Sequence, residues 1–251
     1  MGMNLKFDGG DSEFEVVPVG SHKAICYKVV DAGTAEEDYQ GEKSNKHKIF
    51  IFWELPEVKT QDGRPMSIFS QYTASLNEKS NLYKAAISWL NRGFSEAEKQ
   101  GFDPSIFLGK GCKLEVQHTV NGRAKVANVL TAPNAFDENE ELRQLATVNE
   151  QEIFDLEDYL KEYSDESCPE SKRACDIFDS LPRFIQYRIA GCDEVGRDLV
   201  PPCFEMQAAL KRGQANEKKQ SGSSMTHAEV LASGKKRTEP LPPLVEDDIP
   251  F

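Results

Sequence analysis

The 251-residue chain has no run of 18 apolar residues, so no helical membrane span is expected. Its first eight residues, Met1-Gly2-Met3-Asn4-Leu5-Lys6-Phe7-Asp8, lack the apolar centre of a secretory signal. It also lacks an excess of basic residues. Its 30 Lys and Arg stand against 42 Asp and Glu, a net charge of −12, and taken whole that is the opposite of a nucleic-acid binder's usual footprint. The six cysteines contain no Cys-x-x-Cys pair and no disulfide-scaffold spacing, so they read as reduced thiols. Mean hydropathy is low, −0.56, which points to a linker or tail within the length.

Signatures of catalysis are missing too. There is no Gly-rich phosphate loop and no Gly-x-Ser-x-Gly elbow. The histidines, His22, His47, His118 and His227, have no metal-ligand spacing. Cys168, Cys175, Cys192 and Cys203 are separated by six, sixteen and ten residues, which suits idle thiols better than a zinc site. Glu57-Val58-Lys59 matches half of a nuclease motif, but it lies beside Pro56 in an expected turn, and no upstream Asp partner stands out. The expectation is a protein that is not an enzyme and needs neither metal nor cofactor.

What the chain does have is unevenly distributed. Residues 134–213 carry 9 basic against 19 acidic residues, whereas residues 16–133 carry 15 against 13. The acidity belongs to the middle of the chain, and the segment before it can present a basic face.

That segment reads as a small β-rich domain. Residues 16–34 form a strand, and Thr34 to Lys46 is too polar to pack and reads as a loop. Lys48 to Leu55 is a second strand, apolar on both faces. Pro56 to Pro65 turns, and Met66 to Leu76 is a third strand, with Ile68, Phe69 and Tyr72. Leu82, Ala86, Trp89 and Leu90 recur at helical spacing within residues 77–92, with Gly93 as the expected stop. Residues 112–120 and 124–130 are strands around Asn121-Gly122, a strong hairpin signal. The order β-β-β-α-β-β is that of the OB-fold, a five-stranded barrel that binds single-stranded nucleic acid. An SH3-type barrel is the rival, but it usually lacks the helix. The fold class expected is mainly β with added helices. It comprises an N-terminal arm (1–15), an OB-fold domain (16–133), an acidic helical extension (134–212), a flexible linker (213–245) and a tip (246–251). Within the extension, Ile153, Phe154, Leu156, Tyr159 and Leu160 are spaced for an amphipathic helix, and Pro182 opens a second one. The added helices are expected to dock on the barrel or on another subunit.

The chain ends Glu246-Asp247-Asp248-Ile249-Pro250-Phe251. Ile249 and Phe251 suit a small apolar pocket, Pro250 lowers the entropy lost on docking, and the carboxylates can meet surrounding Lys or Arg. This tip resembles that of bacterial single-stranded DNA-binding proteins, which end in Asp-Asp-Ile-Pro-Phe after an OB-fold and a linker. The segments Tyr72-Thr73-Ala74-Ser75-Leu76, Leu82 to Trp89, Phe102-Asp103-Pro104, Leu108-Gly109-Lys110-Gly111-Cys112 and Leu181-Pro182-Arg183-Phe184-Ile185-Gln186 are similar to OB-fold proteins of tailed bacteriophages. The resemblance implies a phage single-stranded DNA-binding protein of replication, recombination or repair. It would work in the cytoplasm of the bacterial host and use the tip to recruit a polymerase, helicase, primase, nuclease or recombinase. The acidic insert departs from the bacterial pattern, so the bacterial tetramer does not carry over, and a homo-oligomer of another kind stays open. A second reading is an OB-like interaction module that mimics the host tip and has little affinity for DNA.

Stacking platforms and phosphate-tracking cations are what such a barrel needs. Phe50 and Phe52 share one parity of the second strand with Lys48, and Ile49, Ile51, Trp53 and Leu55 form the better core face. Tyr27 with Lys23, and Tyr72, are further stacking candidates. Lys43 and Lys46 lie in the expected loop between strands one and two, Lys113 lies on strand four, and Arg123 and Lys125 flank the last hairpin. The acidic segment and tip are expected to compete with DNA for this basic face. Deleting residues 246–251 then tightens DNA binding at low salt, and unchanged affinity would refute the competition.

Overall fold

A computed structural model describes residues 15–39, 41–133, 143–157, 160 and 171–195. The chain divides into two units, Met1–Leu210 and Lys211–Phe251, and every described residue belongs to the first. The expected linker and tip, and the arm up to residue 14, lie outside the described residues.

The protein is mainly β, built on an antiparallel sheet. Its elements are β1 (Gly20–Tyr39), β2 (Glu42–Lys59), β3 (Pro65–Thr73), α1 (Asn81–Leu90), α2 (Glu96–Gln100), a 3₁₀ turn (Pro104–Phe107), β4 (Gly111–His118), β5 (Ala124–Thr131), β6 (Glu152–Phe154), α3 (Ser171–Ser180) and α4 (Arg183–Ala190). The order across the sheet is β3-β2-β1-β4-β5, and β6 adds to β1. The ends of this path approach each other, since β3 contacts β5, and α1 rests on both.

Four local expectations are corrected. Thr34 to Lys46 is not a loop. Ladder pairs from Thr34↔His47 to Tyr39↔Glu42 extend β1 and β2 into a polar ribbon. Polarity misleads here because ladder bonds come from the backbone, while the side chains pair across the ribbon: Lys43 Nζ lies 2.8 Å from Glu36 and Lys48 Nζ 3.1 Å from Glu37. The third strand ends at Thr73, short of Leu76. α1 stops at Asn91, not Gly93; Asn91 takes the left-handed conformation (φ 54°) that an amide side chain tolerates. The helix pattern expected across Ile153 and Phe154 is a strand instead. β4 leaves the edge of β1 at Ile25, and the open edge at Lys28–Val30 takes up Glu152–Phe154 in parallel.

Other elements follow local chemistry. Ser80 caps α1 by accepting from the Tyr83 amide. Leu82, Ala86, Trp89 and Leu90 are its buried face, as their spacing predicts. Gly122 supplies the positive φ (73°) of the β4–β5 turn. Pro182 precedes α4.

Two hydrophobic cores form on opposite sides of β2, so Ile49–Leu55 is buried without a break. The inner core takes Ile49, Ile51, Trp53 and Leu55, with Trp89 and Phe107 from the helical side and Leu114 from β4. Trp89 stacks on Phe107 (centroids 4.1 Å apart, 9° between planes), and its indole N–H donates to the Gly111 carbonyl at 2.8 Å. The outer core takes Phe50, Phe52 and Val30 and covers them with Phe154, Phe178, Ile185 and Ile189. Residues on both sides of position 133 therefore share one core.

Candidate nucleic-acid interface

The outer face of β1 and β2 decides which side chains can meet a ligand. Phe50 and Phe52 do share a parity, but they are 1% and 6% exposed under the returning segment. That corrects their role as stacking platforms: ring faces packed against Phe178's cluster cannot stack on bases. Tyr72 is corrected as well. It sits in the inner core at 7% exposure, where burial pushes its phenol up to about 12. Tyr27 is half-buried; its ring edge meets Phe52 with centroids 6.1 Å apart, and its hydroxyl is hydrogen-bonded to Ser67.

The segment that covers this face is pinned by polar contacts. Lys28, 8% exposed, meets Glu152 at 2.7 Å and donates to Ser180 Oγ at 2.8 Å. Glu54, 2% exposed, accepts from the Asn149 amide at 2.8 Å, from Asn149 Nδ2 at 2.6 Å and from the Val148 amide. Arg188 reaches Glu37 at 2.9 Å and the Lys46 carbonyl at 2.9 Å. Past α4, Glu194 accepts from the Thr34 amide (2.8 Å) and hydroxyl (2.7 Å). His47 stands between Asp31, at 2.7 Å from Nε2, and Glu194, at 3.6 Å from Nδ1. The Asp31 bond, aided by both carboxylates, raises the histidine above its ordinary value despite burial and the Arg188 charge. Gly33 permits this closure: its φ is +65°, and a Cβ there would come within 2.6 Å of Cys192 Sγ.

The cationic candidates are dispersed. Lys23 is exposed and paired with Glu57 at 2.7 Å; Lys113, half-buried on β4, lies directly opposite it in register. Lys43 and Lys48 engage Glu36 and Glu37, and Lys46 is half-buried. Arg123 and Lys125 are exposed at the β4–β5 hairpin. That hairpin lies at the Gly20 end of β1, and the β1–β2 ribbon closes at the Tyr39 end.

Two aromatics not foreseen as binders stay open to solvent. Phe69 on β3 is 38% exposed and Phe184 on α4 is 51% exposed. Their centroids are 5.6 Å apart, with 33° between planes, and both rest against Phe50. A signal for Phe69 existed in the sequence. Met66, Ile68 and Tyr72 take the core parity of β3, so Phe69 stands alone among Ser67 and Gln71 on the outward one. Phe184 lies beside Ile185, off the buried stripe of α4.

Cys26, Cys112 and Cys192 are buried free thiols, and burial pushes Cys192 up to about 12. Of the four cysteines weighed for zinc, Cys168 and Cys203 lie outside the described residues, as does the Cys175 side chain. No protein-family profile and no curated protein sequence matches this chain.

Proposed function

We propose that this protein binds single-stranded DNA on an OB-type barrel and recruits replication or recombination enzymes through its last six residues. The observation that carries the reading is the Phe69–Phe184 pair. It consists of two solvent-facing rings side by side, Phe69 from the sheet and Phe184 from the helix α4 packed on it, where Phe50, Phe52 and Phe154 of the sheet are buried. Exposed aromatic faces of this kind are costly unless they meet a partner, and bases are sequence-tolerant partners for them. The strand order β3-β2-β1-β4-β5, with a helix between β3 and β4 resting on β3 and β5, supports the barrel assignment. The terminal Asp247-Asp248-Ile249-Pro250-Phe251 supports the recruiting role and a place in the bacterial cytoplasm, and the resemblance of segments such as Tyr72-Thr73-Ala74-Ser75-Leu76 and Leu181-Pro182-Arg183-Phe184-Ile185-Gln186 to OB-fold proteins of tailed bacteriophages supports a phage origin.

One observation favours the second reading, a protein-interaction module that mimics the host tip. Phe154, Phe178, Ile185 and Ile189 cover Phe50 and Phe52, and the sequence from 143 to 195 holds no excess of Lys and Arg. Fluorescence titration with a dT oligomer across salt separates the two. Micromolar or tighter binding that weakens as salt rises, and that Phe69→Ala weakens by about 1–3 kcal/mol, supports the first reading. No binding at 50 mM salt supports the second.

A further inference from the structure

A cavity of about 250 Å³ opens between β1, β2, the segment following β3 and the strand β6. Val29, Ile49, Leu82, Phe102, Ile153 and Phe154 give it apolar walls. Asp31, Asp103 and Asp155 also line it, and among the described residues His47 is the one ionisable nitrogen and no Lys or Arg takes part. Three carboxyl groups against one imidazole give the lining an excess of acid over base. The acids are held in place by their own surroundings. Asp31 accepts from His47 Nε2 (2.7 Å) and from the Gly33 amide (2.9 Å). Asp103 accepts from the Ser105 amide at 2.8 Å at the head of the 3₁₀ turn.

We propose that this cavity receives one long cationic side chain, Lys or Arg, presented by a partner protein. Size and charge together select that occupant. The volume falls below the roughly 300–1,000 Å³ of sites that enclose drug-sized ligands or cofactors, and suits a single side chain. The apolar walls match a methylene stem, and the carboxylates match an ammonium or guanidinium head that would otherwise lose its hydration. Phosphate is repelled by the same carboxylates, so the cavity lies off any nucleic-acid path and the inference stands independently of DNA binding. Because β6 supplies Ile153 and Phe154, and Asp155 follows it directly, the site exists only while the returning segment is docked.

The test is a ¹H–¹⁵N NMR titration of the full chain with N-acetyl-lysine N-methylamide, set against the norleucine analogue, which keeps the stem and lacks the ammonium. The lysine probe should shift the amides of Asp31, His47, Ser75 and Asp155 saturably, and the norleucine probe should bind about tenfold more weakly. Asp155→Asn and Asp103→Asn should each weaken the lysine probe by about fivefold, with the dispersed spectrum retained because Asn preserves shape and can still cap. Equal affinity for norleucine, tighter binding of an acidic analogue, unchanged affinity in both variants, or no shift at these amides would each overturn the proposal. A dT oligomer that shifts Phe69 and Phe184 but not these amides would leave it standing; one that shifts these amides would count against it.

Discussion

The two cores on either side of β2 are closed by different means. The inner one is sealed by segments up to β5, and its polar ties are neutral ones, such as the Trp89 indole to the Gly111 carbonyl and the Thr131 hydroxyl to the Ser88 carbonyl. The outer one is sealed by residues that arrive more than ninety positions later, and it is stitched by charged groups, buried at Lys28 to Glu152 and Glu54 to the amides at 148 and 149, half-buried at Arg188 to Glu37. Apolar area alone is non-directional. A late-arriving segment that must find one register on an apolar face benefits from groups whose burial is tolerable in one arrangement only. The outer core thus shows how polar contacts can select a docking geometry that hydrophobic burial leaves loose.

The comparison breaks most visibly if one large side chain is removed from each core. Trp89→Ala and Phe178→Ala should each cost about 3–5 kcal/mol by denaturant titration. They should differ in hydrogen exchange: the inner variant loses protection across the sheet, and the outer one loses it first at Glu152–Phe154 and Arg183–Ala190. Equal loss everywhere in both would mean that the two cores unfold as one.

A smaller effect sharpens the role of buried charge. Lys28→Ala leaves Glu152 buried without its cation and should cost about 3 kcal/mol, whereas Lys28→Met with Glu152→Leu should come close to neutral in stability. If the double variant also keeps its β6 amide shifts, apolar burial is enough to set the register. Glu54→Gln keeps an acceptor but loses the charge that serves three donors, and should cost about 1–2 kcal/mol in a thermal or chemical melt.

The smallest effect is a pH slope. His47 is raised in the folded protein, first by its bond to Asp31, so the stability it contributes is fully present below its ordinary value of 6.5 and is lost as pH rises through its higher folded value. Melting temperature should therefore fall as pH is raised from about 6 through that value. His47→Gln should flatten the slope; an unchanged slope would assign it to another group.

Much of the inner half is legible from side-chain pattern. Parity on β2 separates Ile49, Ile51, Trp53 and Leu55 from Phe50 and Phe52, and the spacing of Leu82, Ala86, Trp89 and Leu90 marks α1. Legibility fails where the partner is distant. Phe50 and Phe52 have the composition of stacking platforms, and nothing near them in sequence reveals that Phe178 and Ile185 cover them. Ile153 and Phe154 have helical spacing, yet an open edge on β1 makes them a strand. Phe184 looks like a core residue beside Ile185, and only the face of α4 that packs on the sheet, Ile185, Gln186, Ile189 and Ala190, leaves it outward next to Phe69.

By itself the sequence determined the β-rich class, the helix between the third and fourth strands, the Asn121-Gly122 turn, the acidic middle and the character of the terminal Asp-Asp-Ile-Pro-Phe. These rest on periodicity, turn chemistry and composition, which act over a few residues. Tertiary structure alone decided that the polar stretch after Thr34 pairs as a ribbon, that residues 152–156 and 177–195 share a core with the sheet, and which aromatics reach solvent. Those outcomes depend on contacts between residues up to 160 positions apart, such as Thr34 with Glu194, whose free energy no local pattern carries.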